Sequence, residues 1–187
     1  MGEPSMPDSR TETRTSRVHS TLFALPGTPF QTAIGILRVA FGWIFLWAFL
    51  DKTFGLGYAT ERANAWMHGG SPTFGFLNFG TSGPLAGFYR SLAGNPVVDW
   101  LFMIGLLGIG LAFLLGTGMR IAAASGAVLM ALMWSAVLPG EINPFLDDHI
   151  VYAIAMVALA LGGAGRHLGF GRAWRRLPVV QKNPWLV

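Results

Sequence analysis

Arg38 is the first residue of this chain that could carry chemistry, because it is the one charged side chain in the apolar run from Phe30 to Leu50. A charged side chain inside an apolar segment of membrane length is energetically unfavourable and commonly has a function. Gly35, Arg38 and Gly42 are spaced so that they share one face of a helix. Two interpretations stay open. Arg38 has a structural role, with its side chain reaching the interface, or it contacts a buried partner, an anionic headgroup or a quinone.

A second set of candidates lies where the apolar runs begin or end, at what we expect to be one rim of the molecule. These candidates are Asp51, Lys52, Asp99, Asp147, Asp148 and His149, with Tyr152 on the last helix and Trp66 in the loop nearby. If they converge, Lys and His could donate hydrogen bonds to a quinone headgroup, and a carboxylate could take the proton on quinol oxidation.

Two other interpretations of this rim stay open. Asp99, Asp147 and Asp148 follow the starts of predicted helices, where carboxylates cap the helix and interact favourably with its dipole. Carboxylates and a histidine could also bind a metal ion, although we predict no metal site.

Several cofactor classes are excluded by the residues present. The chain has no cysteine, which excludes cysteine-ligated iron–sulfur clusters and disulfides. His149 and His167 would lie roughly 27 Å apart on one helix, too far to ligate one haem. The glycines at 105–110 follow no strand and are not a nucleotide fingerprint. We predict no haem, iron–sulfur cluster or nucleotide, and quinone, which the rim residues could bind, is the one cofactor that we propose from the sequence.

The elements that must position these residues are apolar helices. Hydrophobic residues make up 52% of the 187 residues and charged residues 12%, about half the usual charged fraction of a soluble domain. We predict four spans at roughly 31–52, 97–117, 120–139 and 148–167, since about 20 apolar residues cross a bilayer. The predicted fold is an all-α integral membrane protein, a four-transmembrane-helix bundle with an aromatic interfacial outer loop.

The distribution of charge predicts the topology and the domain boundaries. Residues 1–29 are predicted to be a disordered cytoplasmic tail, 30–170 the transmembrane domain, and 171–187 a basic cytoplasmic tail. Because Arg and Lys concentrate beside the termini, the positive-inside rule places both termini in the cytoplasm, with the protein in the plasma membrane. The basic tails then indicate contact with lipid headgroups and not with nucleic acid.

The connection at 53–96 is long and rich in Gly, Phe and Trp. We expect it to lie in the outer interface and cap the bundle, with short helices at 60–67 and 84–93. The alternative is a plain interfacial anchor of the kind that Trp and Tyr residues commonly form.

Two segments resemble the DoxX family of small four-helix membrane proteins, which includes the DoxD-type subunit of thiosulfate:quinone oxidoreductases. The first is LRVAFGWIFLWAFLDKTFG at 37–55, and the second is GGAGRHLGFGR at 162–172. The matching positions in the first segment are Arg38, Gly42, Lys52, Phe54 and Gly55. The resemblance covers roughly residues 30–170, and it departs in the aromatic loop and the basic C-terminal tail.

The resemblance implies a subunit of a quinone-linked oxidoreductase, which would pass electrons from thiosulfate or another reduced sulfur compound to membrane quinone. A second protein subunit or a homo-oligomer would then be required. Two alternatives stay open: a non-catalytic anchor or accessory subunit, and a small transporter or lipid-binding protein. Whether the chain is an enzyme stays open with them.

Overall fold

A computed structural model describes residues 28–140 and 142–187, which are all-helical and contain no strand. The described α-helices, numbered along the chain, are α1 (Pro29–Phe54), α2 (Phe74–Phe79), α3 (Ala86–Ser91), α4 (Pro96–Leu115), α5 (Met119–Ala136), α6 (Asp148–Leu161), α7 (Gly171–Trp174) and α8 (Pro178–Lys182). The predicted N-terminal tail lies outside the described residues except for its last two positions.

Three of these helices, α1, α4 and α5, are long and apolar enough to cross a membrane. The all-helical class and three helices of sufficient length and hydropathy to span a membrane are thus confirmed, and the fourth predicted span is not confirmed. The helix α6 has 14 residues, or about 21 Å at the usual rise per residue, whereas we predicted a span to residue 167. It stops early because Gly163 takes a positive φ of 69° and a 3₁₀ turn follows at Ala164–Arg166.

The ends of the long helices follow from their local sequence. Thr28 precedes α1, and its hydroxyl accepts a hydrogen bond from the backbone N–H of Gln31 at 3.4 Å. Proline occupies the first position of both α1 and α4, where its missing N–H would have had no helical partner. Gly116 ends α4 with a φ of 76°, a left-handed conformation that glycine adopts without strain.

The bundle is built from two antiparallel pairs, α1 with α4 and α5 with α6, and α4 also packs on α5. Glycines bring the first pair into close contact: a Cβ atom on Gly42 would lie 2.6 Å from the backbone nitrogen of Leu114, and one on Gly110 would lie 2.8 Å from that of Leu46. Side chains fill the rest of the core, notably Phe41, Phe45, Met103, Leu106, Ile109, Phe113, Met130 and Met156.

The connection between α1 and α4 folds against the ends of the long helices. It contains 3₁₀ turns at Arg62–Asn64 and Trp66–His68, where we predicted a helix, and α2, which we did not predict. The helix α3 lies within the predicted segment 84–93. The hydroxyl of Tyr89 on α3 is 2.5 Å from that of Ser135 and donates to the carbonyl of Leu132 at 3.1 Å, so α3 is attached to α5.

The C-terminal residues fold back on the start of α5. The indole N–H of Trp174 donates to the carbonyl of Leu186 at 2.7 Å. The Arg120 guanidinium donates to the carbonyl of Pro184 at 3.1 Å, and its backbone N–H donates to Val187. The basic segment at 171–187 is thus packed against the bundle.

Candidate functional site

Arg38 is fully buried, and its guanidinium connects α4 to the segment after α6. Nη1 donates to the carbonyls of Phe113 and of Leu114, the latter at 2.9 Å. Nη2 donates to the carbonyls of His167 at 3.2 Å and Leu168 at 2.8 Å. Four of its five N–H groups thus bind the chain's own backbone, while Nε has no partner among the described atoms.

The charge of Arg38 is balanced by carbonyl dipoles and not by a carboxylate. In the described part of the chain, the one contact of ion-pair geometry joins Asp147 and His149. Phe113 and Leu114 lie in the last turn of α4, whose terminal carbonyls have no helical partner and carry partial negative charge. Of the two interpretations of Arg38, the structure does not show a side chain that reaches the interface; it shows contact with a buried partner, and that partner is the protein's own backbone.

Leu168 has a backbone conformation that depends on this contact. Its φ is +53°, which is unusual for a residue other than glycine and unfavourable by roughly 1–2 kcal/mol. The carbonyl of the preceding residue, His167, and the carbonyl of Leu168 itself both accept hydrogen bonds from Arg38. Its side chain packs at Gly35, where an added Cβ would lie 3.0 Å from Cδ1. The buried guanidinium therefore stabilises a strained turn against α1.

Asp51 is buried near the end of α1, with 1% of its surface exposed. Its two carboxylate oxygens accept hydrogen bonds from the backbone N–H groups of Tyr58 at 3.3 Å and Ala59 at 3.0 Å. Gly55 ends α1 with a φ of 63° and allows the chain to turn back over the carboxylate. Asp51 therefore fixes the first turn of the long connection.

Asp99 is also buried, in the first turn of α4. Its Oδ1 accepts hydrogen bonds from the Ser71 hydroxyl at 2.9 Å, the Thr73 hydroxyl at 2.6 Å and the Thr73 backbone N–H at 3.1 Å. The N-cap of α4 is Asn95 and not the predicted Asp99: the Asn95 side chain accepts from the Val97 N–H at 2.9 Å. Asp99 instead attaches the long connection to α4.

Asp147 caps α6, as its position in the sequence suggests, and it also contacts a histidine. Its Oδ1 accepts from the backbone N–H groups of His149 at 3.1 Å and Ile150 at 3.3 Å, and its Oδ2 lies 2.6 Å from His149 Nδ1. Burial alone would raise the pKa of Asp147, but these hydrogen bonds and the charge of His149 hold it below its usual value. Asp148 is exposed in the same turn.

The remaining rim candidates make contacts with aromatic rings. Lys52 Nζ lies 5.9 Å from the centre of the Phe102 ring, within the range of a cation–π contact. Trp66 meets Trp100 edge to face, with ring centres 4.6 Å apart. The Tyr152 ring packs on Phe41 at 5.4 Å, within the core between α6 and α1.

These rim residues lie at the predicted end of the bundle but belong to separate contacts. Within 28–140 and 142–187, no hydrogen bond or ion pair joins Asp51, Asp99 and Asp147 to one another. The same residues contain no group of three or more His, Asp or Glu side chains that could hold a metal. Asp51 and Asp99 bind backbone and hydroxyl groups of the long connection, and Asp147 binds the start of α6 and the ring of His149. The shared mouth stays a prediction.

A groove at the opposite end of the bundle was not anticipated from the sequence. It has a volume of about 390 Å³, and Arg166, His167 and Arg172 lie along it together with Gln31 and Thr32 from the first turn of α1. We define this set as the basic groove. Its signal in the sequence was the pair of arginines flanking His167 in a segment that contains no acid, but only the fold brings α1 beside them.

The chain was also compared with known proteins. No protein-family model matches it, and no curated protein and no solved structure matches it significantly. The resemblance to the DoxX family therefore stays a prediction that rests on the residues quoted for it.

Proposed function

We propose that this protein is a non-catalytic integral membrane subunit, which anchors or supports a partner in the membrane. The observation that carries this proposal is the use of its buried ionisable groups. Arg38, Asp51 and Asp99 all bind the protein's own backbone or hydroxyl groups, and so they stabilise the bundle instead of facing a substrate. A scaffold needs internal polar contacts of this kind, because unpaired polar groups are unfavourable within a membrane.

The proposal includes a fourth crossing, made by α6 and the turn that follows it. Two contacts support it, one near each end of α5. The Trp134 indole N–H donates to the carbonyl of Phe145 at 3.0 Å, shortly before α6. Beyond α6, a Cβ atom on Gly165 would lie 2.6 Å from the carbonyl oxygen of Gly116, just before α5. The chain from 147 to 165 thus runs the length of α5, although its helical part is short.

With four crossings, both termini lie on one side of the membrane, and we assign that side to the cytoplasm of the plasma membrane. The charges of the described residues support this orientation. The end of the bundle where α5 begins carries Arg120, Arg166, Arg172, Arg175, Arg176 and Lys182. The described acids Asp51, Glu61, Asp99, Asp147 and Asp148 all belong to the other end.

The experiment is purification of the tagged protein from its native membrane in a mild detergent, followed by mass measurement of the intact complex. We expect one partner at a fixed stoichiometry. Any redox activity of that complex should be unchanged by Lys52→Ala and His149→Ala, since neither residue would touch substrate. Recovery of the chain alone, or loss of activity in these variants while the complex stays intact, would contradict the accessory role.

A second candidate is a subunit that itself handles quinone, and one observation favours it. The 2.6 Å contact between Asp147 and His149 Nδ1 leaves Nε2 of the histidine available to exchange a proton with a quinone oxygen. The DoxX resemblance suggests thiosulfate as the electron donor. Reduction of a quinone analogue by the purified complex should then fall at least tenfold in His149→Gln, whereas Asp148→Asn, in the same turn, should keep the normal rate.

A further inference from the structure

We propose that the basic groove binds the phosphate headgroup of an anionic phospholipid. Arg166 and Arg172 line it from the segment after α6, and Gln31 and Thr32 line it from the start of α1. Two guanidinium groups offer paired N–H donors that match phosphate oxygens. A volume of about 390 Å³ lies within the range of small-molecule sites.

The first argument is the absence of competing carboxylates among the described residues at this end of the bundle. The sequence from 149 to 187 contains no Asp and no Glu, and neither do residues 100–140. Among the described residues, neither Arg166 nor Arg172 forms an ion pair. Two cations in one groove, with no counterion in the part of the chain that the structure describes, create a site that favours an anion.

The second argument is the depth of the groove in the membrane. It lies beside the first turn of α1, a helix of membrane-spanning length, which is the level of the lipid headgroups. Leu168, which lines the groove, is exposed, and so are Phe30 and Phe170, which are next to lining residues in the sequence. A phosphate in the groove would therefore place its acyl chains against an apolar surface, an arrangement that favours a lipid over a soluble anion.

The third argument is that the wall of the groove is rigid and positive. Arg38 holds the carbonyls of His167 and Leu168 from inside the bundle, which fixes the backbone between Arg166 and Arg172. Burial lowers the pKa of the His167 imidazole, and the charges of Arg172, Arg166 and Arg38 lower it further. The positive charges that disfavour protonation of His167 would also attract a phosphate.

The test is titration of the purified protein with dioleoylphosphatidylglycerol, followed by native mass spectrometry, with dioleoylphosphatidylcholine as the neutral comparison. The protein should retain the anionic lipid preferentially. Arg166→Gln/Arg172→Gln should weaken that binding by roughly 30-fold, since each basic residue near an anionic surface contributes about fivefold. The matched control is Arg176→Gln/Lys182→Gln, which removes the same charge from exposed positions outside the groove. It should bind within about threefold of the unmodified protein, because these side chains lie outside the groove and would act on the phosphate only through screened, longer-range attraction.

Equal weakening in the two double variants would mean diffuse attraction between charges and would overturn the site. Equal retention of both lipids by the unmodified protein would overturn it as well. Displacement of the lipid by inorganic phosphate at similar concentration would assign the groove to a soluble anion instead. If the glutamine variant does not fold, Arg166→Lys/Arg172→Lys keeps the charge and loses the paired donors. Its binding should be several-fold weaker, and unchanged binding would contradict recognition by paired guanidinium donors.

Discussion

A buried arginine without a carboxylate partner is uncommon in proteins, and Arg38 is stable because its surroundings supply oxygen atoms in the right places. The carbonyls of Phe113 and Leu114 come from the last turn of a helix, and those of His167 and Leu168 come from a glycine-rich turn. Each carbonyl would lack a partner if the guanidinium were removed. The side chain therefore does for this end of the bundle what a capping residue does for one helix.

Replacement of Arg38 by methionine should lower the free energy of unfolding by about 3 kcal/mol or more, because buried carbonyls lose charged hydrogen-bond donors. Denaturant unfolding in detergent, followed by circular dichroism, measures the change. Arg120→Met is the control, since that exposed side chain donates one hydrogen bond to a carbonyl. Equal stability of Arg38→Met and the unmodified protein would contradict the role assigned to Arg38.

The Asp147 carboxylate should make stability depend on pH. Its pKa in the folded protein lies below the usual value, so its contribution is present above the pKa of the unfolded chain. That contribution is lost as the pH falls through the pKa of the folded state. Asp147→Asn should remove this part of the acid dependence, as measured by melting temperature from pH 7 to pH 3. Asp148→Asn, which removes an exposed carboxylate next to it, should retain it.

Some of these contacts could be predicted from the sequence, and some could not. The spacing of Gly35, Arg38 and Gly42 indicated a shared face, and the position of Asp147 indicated a cap. The partners of Arg38 come from 75 to 130 residues farther along the chain, where no periodicity connects them. The partners of Asp99 were not predictable for a related reason. Ser71 and Thr73 in the long connection take the Asp99 carboxylate, and a sequence does not show which loop residue will reach it.

Contact between helices depends on particular glycines rather than on glycine content. The backbone of α1 lies against Gly110 of α4, and a side chain there would meet the backbone nitrogen of Leu46. Gly105 and Gly108 on the same helix would meet nothing within 4 Å. All three are small residues, but only one of them lies on the side of α4 that faces α1. The sequence does not show which side that is.

Gly110→Ala should therefore destabilise the protein by roughly 1–3 kcal/mol, because the two backbones must separate to admit the methyl group. Gly108→Ala is the matched control on the same helix and should be neutral or slightly stabilising. Thermal unfolding of the two variants in one detergent makes the comparison. Similar losses in both would mean that helix propensity, and not the close crossing, governs the effect.

The lengths of elements were predicted less well than their existence. All four apolar helices are present, but the last ends at Leu161 instead of near 167. The run of small apolar residues continues through Gly162 and Gly163, so composition alone does not mark the end. The turn begins there for two reasons. Glycine takes the left-handed conformation readily, and the carbonyls of His167 and Leu168 in the following segment bind Arg38.

The described residues have an uneven distribution of charge. Most of their arginines lie at one end of the bundle, and their carboxylates lie at the other, together with Lys52, Arg62 and Arg90. This asymmetry supports the proposed orientation, in which the end that carries the basic groove faces the cytoplasm. A topology with four crossings and one with three place the residues after α6 on opposite sides of the membrane. The residues after α6 share a side with the connection after α1 only if the number of crossings is three.

Single cysteines at Glu61 and Lys182 should therefore react from opposite sides of the membrane. Both residues are exposed, and the chain has no cysteine of its own, so each introduced thiol is the only one. A membrane-impermeant maleimide added to intact cells should label Glu61→Cys, and Lys182→Cys should react only after the cells are opened. Labelling of both from outside would exclude the fourth crossing.

The contact between Arg38 and residue 168 has a consequence for biosynthesis. The ribosome completes Leu168 only after adding 130 residues beyond Arg38, a delay of roughly 6–26 s at ordinary rates of translation. During that interval the guanidinium lacks all four of its final acceptors until Phe113 and Leu114 are made, and two of the four after that. The nascent first helix must therefore keep this charge near water or the insertion machinery, and it can settle at its final depth only after Leu168 has been synthesised.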